Sequence, residues 1–189
     1  FKITNASGGF EPLGGVTVPV GNKVSFESNG DQLLYTNGGQ MVLTPLSGPT
    51  AYIADPDAPT QVSYVLIHDQ YAIALMRDTS QFQISEVGDI TNWRAQDIFT
   101  AESKPDKLLA GLVSKDGMLL MGRKSGEFWI NDGVSPFSRV RGLSLDRGIG
   151  GAYSLTKWGD EWFWVDEKRN PIRATIQGAK ELKNPYLHE

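Results

Sequence analysis

The sequence predicts an all-β chain, a partial β-propeller built of four-stranded antiparallel blades, and three observations carry that prediction. One short pattern recurs: a turn signal, an apolar run, a second turn, and a second extended run. Its clearest copy is Lys115-Asp116-Gly117 feeding Met118-Leu119-Leu120-Met121, after which Arg123-Lys124-Ser125-Gly126 turns the chain into Glu127-Phe128-Trp129-Ile130. That is the signature of a β-hairpin. The copies open at Asp31, Asp69, Asp116 and Asp160, spaced by 38, 47 and 44 residues. Periods of this size belong to propeller blades, each a meander that cannot bury both faces alone. The composition agrees, because 21 glycines and 10 prolines make many corners while 5 Trp, 6 Tyr and 8 Phe fill the space between strands.

Taken in order, residues 1–22 read as an extended N-terminal segment, with Gly8-Gly9 and Gly14-Gly15 as turns and Gly15 to Val20 as a short piece that Pro19 confines to an edge. Blades are expected over 23–176. Lys23 to Ser28 alternates as a strand, and Leu33 to Thr36 and Gln40 to Leu43 form the first hairpin around Asn37-Gly38-Gly39. The prolines at 45, 49, 56 and 59 mark a long connection with an extended Thr50 to Ile53 inside it. Gln61 to Ile67 carries apolar groups on both faces, since Val62, Tyr64 and Leu66 alternate with Val65 and Ile67, and such a strand is sandwiched.

The second hairpin is Tyr71 to Met76 with Gln81 to Ile84. Ser85 to Trp93 then reads as a loop closed by an aromatic, and Arg94 to Thr100 as an outer strand or a bulged connection, with a short helix around Gln96 as a weaker alternative. After a polar corner at 101–107, Leu108 to Ser114 opens the third copy. Asn131 to Phe137 repeats the loop role, Arg139 to Leu145 the outer strand, and Asp146 to Gly151 the corner. Ala152 to Lys157 opens the fourth copy, whose hairpin is Glu161 to Val165 with Pro171 to Thr175. Residues 177–189 read as a C-terminal tail, either with one helical turn over Ala179 to Lys183 before Asn184-Pro185 or loosely held.

Bulk properties exclude several chemistries. The chain lacks cysteine, so it has no disulfide framework, thiol nucleophile or thiolate metal site. Its formal charge of −4 comes from interspersed signs, and the only basic groupings are Arg139, Arg141 and Arg147, then Lys168, Arg169 and Arg173. These read as solvated surface, with contact to a polyanion as the alternative. No apolar run is long enough to span a bilayer. The chain starts at Phe1, which suggests a processed product or a piece of a longer protein.

Each candidate site in the sequence also has a plain structural reading. His68 and His188 are the only histidines, too few for a histidine-based zinc site, and His68 reads as a partly exposed turn residue. Gly148-Ile149-Gly150-Gly151 lacks a following helix to hold a phosphate and reads as a corner between blades. Carboxylate pairs such as Asp55 with Asp57, Glu102 with Asp106 and Asp166 with Glu167 lie in polar turns, where no burial raises one pKa for acid catalysis. Asp31, Asp69, Asp116 and Asp160 recur at equivalent places and are assigned as structural turn residues that accept backbone N–H bonds. Trp129, Trp158, Trp162 and Trp164 with Phe128 and Phe163 are assigned to packing between blades, with a sugar platform as the alternative.

The run Ile84 to Trp93, then Ala101 to Leu108, then Leu120 to Trp129 resembles the repeat of tail hub or nozzle proteins of short-tailed bacteriophages, also called packaged-DNA stabilisation proteins. Gly148 to Tyr153 and Trp162 to Val165 suit the next blade of that family, so the resemblance covers Val62 to Thr175, with Lys23 to Leu43 as a weaker extension. The chain is short for that family, which leaves closure of the propeller open.

The resemblance implies a structural virion protein, not an enzyme, forming a homo-oligomeric and six-fold ring that continues the DNA channel and holds other tail, adaptor or fibre proteins. No cofactor and no metal are expected, DNA passage is non-specific, and the location is the virion, with host cytoplasm during assembly. The candidate assembly loops are Ser85 to Trp93, with Asp89, Asn92 and Trp93, and Asn131 to Phe137, with Asn131, Asp132 and Phe137. A carbohydrate-binding propeller and a propeller-type glycosidase are the alternatives.

Overall fold

The computed structural model describes residues 2–3, 10–11, 16, 23–101, 104–133 and 135–183. Strands β1 (Lys2–Ile3) and β2 (Phe10–Glu11) pair antiparallel. The turns expected at Gly8-Gly9 and Gly14-Gly15 and the piece at Gly15 to Val20 lie outside the described residues, apart from Val16. The rest of the chain is four successive four-stranded antiparallel sheets, each in simple sequence order. Blade 1 is β3 (Ser25–Ser28), β4 (Gln32–Thr36), β5 (Val42–Pro45) and β6 (Ala51–Tyr52). Blade 2 is β7 (Val62–His68), β8 (Tyr71–Met76), β9 (Gln81–Glu86) and β10 (Asp89–Thr100).

Blade 3 is β11 (Leu108–Ser114), β12 (Gly117–Gly122), β13 (Gly126–Ile130) and β14 (Ser138–Leu145). Blade 4 is β15 (Thr156–Trp158), β16 (Glu161–Val165), β17 (Pro171–Thr175) and β18 (Gly178–Glu181). The all-β propeller architecture expected from the repeat is therefore present. The only helical element among the described residues is a 3-10 turn over Ala152–Ser154.

Four expectations need correction. The stretch Ser85 to Trp93 is no loop: β9 runs to Glu86, Gly88 turns at φ +75°, and β10 begins at Asp89. Asp89 pairs with Glu86 and Trp93 with Ser85, so the polar and aromatic residues taken for a loop are the start of a long outer strand. The same strand rules out a helix at Gln96. Residues Gly178–Glu181 form strand β18 and not a helical turn, because they pair with β17 from Ile172↔Glu181 to Thr175↔Gly178 and so complete blade 4. Finally, the opening of the fourth copy is later than Ala152, since the 3-10 turn holds 152–154 before β15 starts at Thr156.

The core lies in the seams between blades. Leu34, Met41 and Ile53 of blade 1 meet Val62, Val65, Ala72 and Ala74 of blade 2. The next seam joins Leu66, Ile73, Leu75, Phe82 and Ile84 to Met118, Leu120, Trp129 and Phe137. The third joins Leu119, Met121, Phe128 and Leu145 to Trp162, Trp164, Ile172 and Ala174. Second strands such as β8 and β12 contribute to the seams on both sides, through Ala72 and Ala74 against Ile73 and Leu75, and through Met118 and Leu120 against Leu119 and Met121. Their near-continuous apolar runs follow from being covered on both faces.

Each seam is also stitched by one backbone bond in the same place. The amide of Val62 donates to Gly39 O (3.0 Å), that of Leu108 to Thr79 O (2.8 Å), and that of Ile149 to Gly122 O (2.8 Å). The chain entering a new blade thus bonds to the middle hairpin of the blade before it. At the third seam Gly148 is needed for this approach to blade 3, and Gly150 for the contact with the blade being entered. A Cβ on Gly148 would overlap the carbonyl of Arg123, and one on Gly150 that of Asp166.

Candidate functional site

The four recurring aspartates all sit in the turns between first and second strands, but not by the mechanism expected of them. Among the described residues, no backbone N–H donates to the carboxylate of Asp31, Asp69, Asp116 or Asp160. In the first turn it is Asn29 Oδ1 that accepts, from the amides of Asp31 (3.1 Å) and Gln32 (2.8 Å). In the second, Asp69 and Gln70 both take left-handed backbone, at φ 49° and 67°, a conformation that the short side chain of Asp69 tolerates better than most. Gly117 follows Asp116 with φ +154° and a backbone position against Trp129 that leaves no room for a side chain. Gly159, at φ +59°, precedes Asp160. The aspartates mark these corners, and the neighbouring residues shape them.

The carboxylates that do organise backbone are others. Asp106 accepts from the amides of Lys124 (2.6 Å) and Ser125 (3.1 Å), clamping the corner before blade 3 onto the middle hairpin of that blade. Asp166 accepts from the amides of Lys168 and Asn170 (both 2.8 Å). Asp55 takes Asp57 N (2.8 Å) and Trp93 N (3.1 Å), fixing the first linker against blade 2. From the sequence these three enter only as members of candidate catalytic carboxylate pairs. A local signal exists for Asp166 and for the Asp55–Asp57 bond, whose acceptor and amides share one polar or proline-bounded turn, but the amides of Lys124, Ser125 and Trp93 reach their carboxylates across 18 to 38 residues.

The six assembly-loop candidates divide. Asp89 and Asn92 are exposed, and the Asp89 carboxylate accepts from the Thr91 hydroxyl (2.6 Å) and amide (3.0 Å), which together hold its pKa below the ordinary value. Asn131 Oδ1 accepts from Gly133 N (3.1 Å) and Asp132 Oδ1 from Ser135 N (3.0 Å), so this connection is a shaped polar loop. Trp93 and Phe137 are not available for contact. Trp93 is buried between blades 1 and 2 with its indole N–H donating to Ile90 O (3.2 Å). Phe137 is buried against Tyr71 and His68. Both aromatics close their segments by entering the core, where a large ring gains most from leaving water. His68 is buried with Phe137 and not partly exposed, its Nε2 lying 3.6 Å from Asp69.

Four of the five tryptophans are buried, as packing between blades requires, while Trp158 is 79% exposed. A sugar platform of indoles needs several of them exposed in a row, and among the described residues Trp158 is the one exposed indole. A separate titratable group lies near the axis. Glu27 on β3 is half-buried, and burial alone raises its pKa; Tyr64 on β7 is raised by burial first and then by Glu27 and Tyr153. Lys23 Nζ stands 5.0 Å from the centre of the Tyr153 ring, a cation–π distance. Among the described residues, no three histidines or carboxylates gather to hold a metal ion.

Ion pairs connect the blades at the end where the middle hairpins turn. Lys107 pairs with Asp78 (3.0 Å), Lys104 with Asp146 (2.9 Å), Arg123 with Glu167 (3.8 Å), and Arg147 with Asp166 and Glu181 (3.5 and 3.4 Å). A groove between blades 3 and 4 runs beside Arg123, Arg147 and Lys168. Such exposed pairs are individually weak, and their value here is in fixing one blade's turn against the next.

Four successive four-stranded antiparallel sheets, with much of their buried polar surface committed to turns and seams, define a β-propeller. The comparisons make that particular. The chain belongs to the phage family described as Bacteriophage P22 Gp10, beta-propeller, whose profile matches residues 1–177. That family is concerned with stabilising packaged DNA, which supports a phage structural role and a virion-associated protein. No curated protein matches the chain.

Solved structures share the fold at low identity. The computationally designed Ika4 protein matches over 88% of this chain and 99% of its own, at 12% identity and a TM-score of 0.61. A functionally unknown protein from Desulfotomaculum acetoxidans matches over 85% of this chain and 56% of its own, at 14% identity and 0.59. BamB from Moraxella catarrhalis matches over 82% of this chain and 46% of its own, at 13% identity and 0.52. The chain thus spans about half the length of the last two.

Proposed function

We propose that this protein is a non-enzymatic component of a phage tail hub, built into a homo-oligomeric ring that continues the DNA channel and helps to retain packaged DNA. The observation that carries this reading is the match to the Gp10 family over residues 1–177, which takes in all four blades up to the turn before β18. The geometry supports a role through rigidity. Each seam is a closed apolar cluster with a backbone bond beside it, so exposed segments such as Asp89 to Asn92 and Asn131 to Gly133 are presented without an ordering cost on contact. Neighbouring copies of the chain and other tail, adaptor or fibre proteins are the partners this display serves, and DNA passes without sequence recognition.

The experiment is reconstitution. Phage particles assembled without this protein are expected to leak DNA, read as the fraction of the genome open to added nuclease, and purified protein added back is expected to restore protection. Particles that hold their DNA equally well without it would refute the reading. A catalytic alternative is tested in parallel by incubating the protein with oligosaccharides, for which no turnover is expected.

A further inference from the structure

The carboxylates of the four recurring aspartates hold none of the backbone around them, which leaves their recurrence without a turn-building reason. Their place in the fold is the same in every blade. The sheets run in simple sequence order, and each new blade is entered beside the middle hairpin of the one before it. The turns joining first to second and third to fourth strands therefore all emerge at the opposite end. Asp31, Asp69, Asp116 and Asp160 stand there, one to a blade, with Asp132 in the blade 3 connection and Asp89 at the start of β10. All six are exposed, and Lys115 is the one cation among the described turn residues of this end.

The apolar surface is concentrated at the same end. The four most exposed large apolar side chains among the described residues are Trp158 (79%), Leu46 (74%), Ile176 (62%) and Val87 (56%), and all four lie in or next to these turns. Single exposed apolar groups are ordinary, but three of these repeat one position. Leu46, Val87 and Ile176 each directly follow the third strand of their blade, and only blade 3 has a polar residue, Asn131, in that place. In blades 1 and 2 this turn is bonded to the acidic turn beside it, through Leu46 N to Asp31 O (2.7 Å) and Gly88 N to Gln70 O (3.0 Å). Beside Ile176, the β17–β18 turn and the bulged β14 leave a cleft of about 110 Å³ over the rings of Phe128 and Trp162, room for one apolar side chain.

We propose that this end of the propeller is a docking face for a different protein whose contacting surface is cationic and carries apolar side chains. Charge decides the class of partner, since a field of one sign attracts and steers a surface of the other. DNA would meet repulsion from these carboxylates, and two copies joined through this end would set one ring of aspartates against another. A second copy offering its middle-hairpin end is poorly matched too, because cations there are already engaged: Lys107 with Asp78, Lys104 with Asp146, and Arg147 with Asp166 and Glu181. The apolar groups supply the other half of the contact, as anchors that leave water while the charged rim sets orientation. They stand on short turns bonded to their neighbours, so contact costs little ordering. The docking face rests on the reading of the chain as a non-enzymatic scaffold and names the chemistry of what the scaffold holds.

The test titrates the purified chain with a synthetic Leu–Lys amphipathic peptide, with Leu–Glu and Ser–Lys peptides of the same pattern and duplex DNA as comparisons. Binding is read by calorimetry and by the emission of Trp158, the one exposed indole among the described residues, which moves to shorter wavelength when the face is covered. The Leu–Lys peptide is expected to bind and the comparisons are not. One variant carries Leu46→Ser, Val87→Ser and Ile176→Ser, and another carries Asp31→Asn, Asp69→Asn, Asp116→Asn and Asp160→Asn; each is expected to weaken binding about tenfold or more. Leu182→Ser with Glu167→Gln, exposed positions at the other end, is expected to leave binding unchanged, and far-UV spectra show that every variant is folded. No binding of the Leu–Lys peptide overturns the proposal. So does binding that survives either set of changes, that falls equally with the changes at the other end, or that any comparison molecule matches. None of these outcomes alters DNA retention by the unchanged protein, so the docking face and the role in the virion fail separately.

Discussion

Replacing Trp164 separates the two ways in which the third seam holds. The indole is 2% exposed, sits among Leu119, Met121, Phe128 and Ile149, and donates its Nε1–H to Gly148 O at 2.9 Å. Trp164→Ala removes the ring and leaves a cavity, at a cost of about 3 to 5 kcal/mol. Trp164→Phe keeps most of the apolar contact but leaves the buried Gly148 carbonyl without its donor, at about 1 to 3 kcal/mol. For a chain of this size 1 kcal/mol moves Tm by about 2 to 4 °C, so the alanine variant should melt roughly 6 to 20 °C lower. Urea unfolding checks both values, with an unchanged slope showing that the same surface is exposed in each variant. A loss below about 1.5 kcal/mol for alanine would refute the claim that the seams carry the stability, since losses that small are ordinary for single substitutions. Equal losses for the two variants would instead show that the ring adds nothing beyond its hydrogen bond.

Gly148→Ala should destabilise by about 1 to 3 kcal/mol or prevent folding, because its Cβ meets backbone that cannot move aside, whereas Gly151→Ala, with open space around it, should leave the urea midpoint nearly unchanged. Asp106→Ala should cost about 1.5 to 3 kcal/mol by stripping a charged acceptor from Lys124 N and Ser125 N, and hydrogen exchange should speed up at those two amides first. Glu27 has a folded pKa raised by burial above its ordinary 4.5, so the folded chain holds this proton more tightly and the group's penalty appears as pH rises from 4.5 through the raised value. Glu27→Gln should therefore stabilise at neutral pH and have little effect below 4.5, read from urea midpoints across that range. Asp89 has the opposite sign: its contribution is present above its ordinary 3.8 and is lost as pH falls through the lowered value, so Asp89→Asn should flatten the acid limb of the stability curve.

The blade repeat was legible because its determinants are local. Alternating apolar residues flanked by two-residue turns specify hairpins, and apolar groups on both faces of Tyr71 to Met76 and Met118 to Met121 specify strands covered on each side. What stayed hidden depends on residues distant in sequence. Asp55 and Trp93 meet across 38 positions, and nothing within either segment announces the other. The run Glu86 to Trp93 reads as a loop because it is polar, yet an outer strand has one solvated side and tolerates that composition. The alternation in β16 misleads in the same way, since Phe163 and Val165 have the pattern of a covered strand while Val165 is 38% exposed.

The outer strands show how the same physics repeats where the sequence does not. On blade 2, Ser85 faces Trp93 while Gln83 faces Ile98, so two steps along β9 match five along β10. On blade 3, Trp129 faces Arg139 while Glu127 faces Ser144, again two steps against five. Both outer strands therefore bulge by three residues at an equivalent point, around Arg94 to Asp97 and Val140 to Leu143. A bulge withdraws backbone groups from the ladder, and in each blade the facing third-strand residue is a buried polar one. Gln83 donates from Nε2 to Arg94 O (3.0 Å) and to Asp57 O (2.8 Å). Glu127 accepts from Trp129 Nε1 (3.1 Å) and faces the Arg139 guanidinium at 3.7 Å. The Gln83 amide thus bonds the blade 2 bulge itself, while the Glu127 carboxylate holds Arg139 at the start of the blade 3 bulge. A straight, fully exposed outer edge is a template for unwanted strand pairing; a bulge pinned from inside removes that template on the two middle blades, while β6 and β18 are short enough to need no such device.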